Sequence, residues 1–234
     1  MRRAVHPIEA ESYRILRGLV DLSGLGPLSR AVAERVVHAS ADPSWAGDLL
    51  LDERALAGGL AALRAGAPVV VDARMVAAAV TARPTVCALD LAPAGRGGRA
   101  RGAAPSSAER LVQGEDQLGR RGALGVAAGG GGEDGTDPAG ETRSATGVRA
   151  AFGQVGPGAV WVVGCAPTAL DALLRLPAAP ALVVGLPVGF VGAVEAKRAL
   201  AASGLPAVTN RGPRGGSAVA AAALNALLYH QEPA

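Results

Sequence analysis

Three short stretches hold residues whose types and spacing could do chemistry. In "ERVVHAS" (34–40), His38 follows Glu34 by four residues. On a helix that spacing stacks the two side chains, so the carboxylate could hold one imidazole nitrogen and favour the imidazolium. A histidine so held is a natural proton donor near neutral pH. In "NRGPRGGSA" (210–218), Arg211 and Arg214 flank a proline, and Gly215-Gly216-Ser217 reads as the opening of a helix. Two guanidiniums beside a helix N-terminus suit a ligand rich in carboxylates. In "ETRSA" (141–145), Arg143 and Ser144 stand at the start of another helix. Each stretch also has a plainer account. His38 could be a boundary histidine with a structural hydrogen bond, and the arginines could be surface residues of an arginine-biased chain.

The elements that must position these residues follow from composition and pattern. Half of the 234 residues are hydrophobic but only 3% are aromatic, so a core must come from Ala, Val and Leu. The net charge is +3, and Lys197 is the sole lysine, so total arginine content carries no argument for an acidic partner. No basic run interleaves with aromatics, which excludes a nucleic-acid binder. Cys87 and Cys165 are isolated, and no apolar leader follows the N-terminal charges. Both features imply reduced thiols in the cytoplasm. The uncharged run Leu176–Val194 approaches the length of a membrane span, but three prolines and three glycines interrupt it. It reads as a buried strand and a glycine loop, not a membrane segment.

Helices are expected over 6–17, 27–40 and 52–65, the second with proline in its first turn. On the 27–40 helix, Leu28, Val32, Val36 and Ala39 should share the buried face, with His38 on its flank. Short β-branched runs follow at 68–75, 85–90, 159–168, 181–189 and 206–212, most of them separated by helical stretches. This pattern predicts one α/β domain over 1–234, with a doubly wound, mainly parallel sheet and helices on both faces. The strand C-terminal ends then form the ligand crevice, among them Asp72-Ala73-Arg74, Gly164 to Thr168 and Gly185 to Gly189. Residues 92–140 break the pattern. The stretch 92–141 carries 14 of the 33 glycines and no helical or strand period, so a loosely held, disordered insertion is expected. A compensated shift of reading frame would give the same composition, and resequencing the gene tests that.

Familiar motifs are missing. Gly185, Gly189 and Gly192 miss the dinucleotide fingerprint, with Pro187 where its middle glycine belongs. There is no phosphate loop ending in lysine, no cysteine–histidine metal spacing and no nucleophile elbow. A nucleotide-binding oxidoreductase is the weaker reading, and saturable NAD binding would be needed to support it.

Seven segments, in order, carry a family resemblance: "HPIEAESYRILR", "ERVVHASAD", "ALRAGAPVVVDARMVAAAV", "TRSA", "GCAPTAL", "LVVGLPVGFVGAVEAKRAL" and "RGPRGGSAVAAAALNAL". Together they closely resemble the precorrin-8X methylmutases of cobalamin biosynthesis, over nearly everything except 92–140. The resemblance implies a homodimeric isomerase that moves a methyl group between adjacent carbons of a tetrapyrrole, precorrin-8X or its cobalt form, giving a hydrogenobyrinate-type corrin. No cofactor, metal or external methyl donor is implied. It implies that His38 is the catalytic proton donor, and that Ser12, Tyr13, Arg143, Ser144, Arg211 and Ser217 contact the substrate. Two departures stand out. Cys165 replaces the family's usual asparagine, and about fifty residues replace a much shorter link before "TRSA". The alternative is a tetrapyrrole-binding protein that no longer turns over.

Overall fold

The computed structural model describes residues 6–93 and 140–230. The expected insertion over 92–140 lies almost wholly outside the described residues. Helix α1 (Pro7–Leu19) starts where the His6 side chain accepts a hydrogen bond from the Ile8 N–H and Pro7 fills the first turn. Helix α2 (Pro27–Ser40) has no cap of its own at Gly26. Glu53 supplies one from the start of α4 (Glu53–Arg64), accepting from the N–H groups of Leu28 and Ser29, each at 2.8 Å. Between them lie a one-turn helix, α3 (Trp45–Asp48), and a two-residue strand, β1 (Leu49–Leu50), neither of which the periodicity foretold.

The alternating part follows: β2 (Val69–Val71), α5 (Arg74–Ala79), β3 (Val86–Cys87), α6 (Ala88–Leu91), α7 (Arg143–Val155), β4 (Val160–Val163), α8 (Pro167–Leu174), β5 (Leu182–Gly185), α9 (Ala193–Ala202), β6 (Ala207–Asn210) and α10 (Ser217–Leu228). The run 85–90, expected as one strand, is strand only at Val86–Cys87 and turns helical at Ala88. Sheet order is β1-β6-β5-β4-β2-β3, parallel throughout except for β1 against β6. The chain winds outward from β2 to β3 on one side and from β4 to β6 on the other. The topological switch point therefore falls between β2 and β4.

Side chains alternate between two cores. Val69, Val71, Val160, Val162, Leu182 and Val184 face the core shared with α2, α4 and α10. Val70, Trp161, Val163 and Val183 face the one shared with α7, α8 and α9. Helix α10 is buried from Val219 through Leu227, because it lies between the sheet and α2. The α2 face differs slightly from expectation: Val37 is buried and Ala39 is exposed. The run 176–194 forms β5, its flanking loops and the first two residues of α9. Among the described residues, no helix is long and apolar enough to cross a membrane.

Candidate active site

The carboxyl edge of the sheet is built from loops tied together by two buried charges. Asp72, just after β2, is 3% exposed. Its carboxylate accepts from the N–H groups of Gly164 at 3.0 Å, Cys165 at 2.7 Å and Ala166 at 2.9 Å. Burial pushes its carboxyl above the ordinary range, and the three N–H donors pull back. Asp72 thus fixes the β4–α8 loop at the switch point. Across the edge, the Lys197 ammonium on α9 binds Asn210 Oδ1 at 2.9 Å and the carbonyls of Arg214, at 2.6 Å, and Gly212.

The loop after β5 and the loop after β6 are joined backbone to backbone. Gly189 N–H donates to the Pro213 carbonyl at 3.1 Å, and Gly216 N–H to the Leu186 carbonyl at 2.9 Å. A Cβ on residue 215 would stand 2.2 Å from the Leu186 oxygen, so only glycine permits this approach. Gly216 holds φ at +123° and caps α10 without a side chain. Ser217 is the first residue of α10, half-buried, at a helix end whose first N–H groups favour an anion.

Arg211 and Arg214 separate in role. Arg211 is exposed; its Nη1 donates to the Gly47 carbonyl at 2.8 Å, and its backbone N–H to Asp48 Oδ1 at 3.2 Å. Arg214 does not reach out as a ligand fork. It donates to Asp42, to Ser44 Oγ at 2.7 Å and to Asp48 Oδ2 at 3.1 Å, and its guanidinium lies 4.6 Å from the Trp45 ring centroid. The sequence pairs the two arginines because they flank one turn. The fold separates them: Asp48 and Trp45 of α3, with Asp42 just before it, take the Arg214 guanidinium, while α3 offers the Arg211 guanidinium only a backbone carbonyl.

His38 sits in the last turn of α2, half-buried. Its Nδ1 lies 2.8 Å from Ser12 Oγ, and its ring stacks on Tyr13 with centroids 4.9 Å apart and planes 13° from parallel. Glu34 does not hold the imidazole as its spacing suggested. The Glu34 carboxylate is buried and taken by Arg17 of α1 in a fork, at 2.8 and 2.9 Å. Tyr13 is enclosed enough that burial pushes its phenol up, against the pull of the Arg35 charge. Beyond His38, α2 ends with Ala41 in the left-handed region. Asp42 and Ser44 then bind Arg214, which brings this helix end to the loop that opens α10.

Arg143 and Ser144 begin α7, where Thr142 caps by accepting from the Ala145 N–H. Thr142 also donates to Thr168 Oγ1 at 2.8 Å, drawing the starts of α7 and α8 together. Arg143 is exposed and Ser144 half-buried. The fold therefore groups the candidates in three sets: Ser12, Tyr13 and His38; Arg211 and Ser217; Arg143 and Ser144. Among the described residues, no hydrogen bond or ring contact joins one set to another. Sequence reasoning missed Asp72 and Lys197 as organisers. Their signals were an acid closing an apolar strand and one lysine in a chain that otherwise uses arginine.

The sequence model of the precorrin-8X methylmutase family matches residues 7–92 and 133–230. The chain belongs to that family. The match covers every candidate residue and leaves 93–132 unmatched. The precorrin-8X methylmutase of Pseudomonas aeruginosa is 37% identical over 96% of this chain and 95% of its own length. The cobalt-precorrin-8 methylmutase of a Synechocystis strain is 34% identical over 95% and 94%. A crystal structure of the precorrin-8X methylmutase from Thermus thermophilus superposes with a TM-score of 0.68 at 31% identity, covering 95% of this chain and 96% of that one. The family's enzymes are isomerases that move a methyl group within their substrate, in cobalamin biosynthesis. The methylmutase fold thus places His38 and the carboxyl-edge loops on one chain, and Cys165 lies in the loop that Asp72 fixes. Burial pushes the Cys165 thiol up to about 12, so it stays protonated.

Proposed function

We propose that this methylmutase converts precorrin-8X to hydrogenobyrinate with His38 as the proton donor. The methyl group migrates between adjacent ring carbons. The conjugated macrocycle carries most of the electronic change, and a proton delivered to it favours the shift. The observation that carries the reading is the Ser12–His38 contact of 2.8 Å. A serine hydroxyl can accept from Nδ1 of the neutral ring that remains once Nε2 has given up its proton. It can also accept from Nδ1 of the imidazolium. The same contact therefore serves both protonation states, and Tyr13 fixes the ring plane by stacking.

The substrate carries acetate and propionate carboxylates around an apolar ring. Arg211, Ser217 and the uncapped start of α10 suit those carboxylates, as do Arg143 and Ser144 at the start of α7. Ser12 and Tyr13 border the ring beside His38. The active unit is a homodimer. Helix α1 supports this: Ile8, Ile15 and Leu19 are 74, 50 and 64% exposed along one side, a stripe a second copy would cover. The free thiols of Cys87 and Cys165 support a cytoplasmic enzyme.

The test is spectroscopic. Purified, folded protein incubated with precorrin-8X should develop the absorption of the corrin product. Product binding without conversion would select the binding-protein alternative instead.

A further inference from the structure

Lys197 is the one lysine of the chain and is 1% exposed. Burying an ammonium is costly unless each of its hydrogens finds a partner. Here three oxygens converge on it: Asn210 Oδ1 and the carbonyls of Gly212 and Arg214. Asn210 ends β6, and the two carbonyls lie on the turn that leads to α10. An ammonium offers three donors in a tetrahedral fan, whereas a guanidinium offers a planar fork too broad for one point of convergence. That difference explains a lysine where the chain otherwise places arginine. Asn210 reinforces the knot, its Nδ2 donating to Asp48 at 2.9 Å and to the Arg214 carbonyl at 3.1 Å.

The consequence reaches the outer side of the turn. In a trans peptide the C=O and the following N–H point in opposite directions. Drawing the Arg214 carbonyl onto Lys197 aims the Gly215 N–H away from it, next to the uncapped start of α10. We propose that Lys197 is a positioning residue of the methylmutase: its ammonium shapes residues 210–216 so that the Gly215 N–H, the α10 N-terminus and Arg211 meet substrate carboxylates. The proposal rests on the substrate reading given above, but part of its test needs no substrate.

Burial lowers the Lys197 ammonium to about 8, with Asp48 acting against the shift and Arg214 with it. Asp42 bears on it through Arg214, whereas Asp171 of the neighbouring α8 is raised chiefly by burial, with Arg175 acting against that shift and Glu195 with it. Above that pH the neutral amine has two hydrogens for three oxygens, and the turn loosens. The sign for global stability is opposite. The unfolded lysine keeps its proton to its ordinary 10.5, so between about 8 and 10.5 the unfolded chain binds more protons, and this group's contribution to stability rises with pH. Affinity and stability therefore move in opposite directions.

The experiment compares wild type with Lys197→Met and Lys197→Arg. KM for precorrin-8X should rise about tenfold in both variants, with kcat within about twofold, as for a lost charge-assisted contact. Wild-type KM should climb from about pH 7 to about pH 9.5, while Lys197→Met stays flat. Without substrate, amide exchange of residues 211–216 should accelerate in Lys197→Met relative to α7. A folded Lys197→Met with wild-type KM and pH profile overturns the proposal, as does a fall in kcat alone. If the variants do not fold, a wild-type KM constant across that pH range overturns it equally. Should wild type convert no substrate, the functional reading fails, and exchange in the 211–216 turn still decides the role of Lys197.

Discussion

Ser12 and His38 are 26 residues apart in sequence, yet Ser12 Oγ stands 2.8 Å from His38 Nδ1 across the α1–α2 contact. This pairing fixes the His38 ring and gives Nδ1 a partner, which leaves Nε2 for the proposed proton delivery. Removing the imidazole in His38→Ala should lower kcat by about 10²–10⁴-fold, the usual reach of a general acid, with ring binding largely kept. Ser12→Ala should cost about fivefold in kcat, the loss of one hydrogen bond of about 1 kcal/mol. Steady-state kinetics with substrate titration measures both. Equal loss of binding and turnover in His38→Ala would argue for a structural histidine.

Glu34 belongs to the scaffold, because its carboxylate is held by Arg17. Glu34→Gln should lower stability to urea by about 1 kcal/mol, a figure reduced for the exposure of Arg17. The pH–rate profile should not move. A shift in the limb assigned to His38 would show that the two side chains are coupled after all.

Cys165 offers a test of the family's missing amide. The backbone tie to Asp72 holds that loop whatever side chain stands there. Cys165→Asn should therefore keep the fold, and add one neutral hydrogen bond to the ring, lowering KM by about fivefold. An unchanged KM would mean that residue 165 does not touch the substrate.

Glu53 makes a pH prediction. Burial works against its carboxylate, but hydrogen bonds from Ser29 and Leu28 hold it below the ordinary value. A depressed acid stabilises the fold above its unfolded value and loses that contribution as pH falls through the folded one. Glu53→Gln should cost about 1 kcal/mol near neutral pH, as for a lost helix cap. The gap from wild type should close below about pH 4. Chemical denaturation across pH measures it, and a gap independent of pH would show that the charge plays no part.

The fold was legible because burial leaves local marks. Apolar runs such as Val69–Val71 and Val160–Val163 can only be buried strands, and the helices between them require parallel crossovers. What escaped was short or borrowed. Strand β1 has two residues, too few for a period, and pairs only because Asn210 and Thr209 lie beside it. The cap of α2 comes from Glu53, 25 residues from Leu28, and no local motif encodes it.

The sequence by itself determined the alternation of strands and helices, the family, and the residues that suit a proton and a carboxylate-rich ring. Spacing along one element and composition suffice for these. Tertiary structure alone decided which charges are taken up by partners that hold the frame. Glu34 went to Arg17, Arg214 to Asp42 and Asp48, and Lys197 to three oxygens at the end of β6 and in the turn after it. A buried charge takes whichever partners the packing of distant segments brings within hydrogen-bond reach, and sequence spacing does not record that distance.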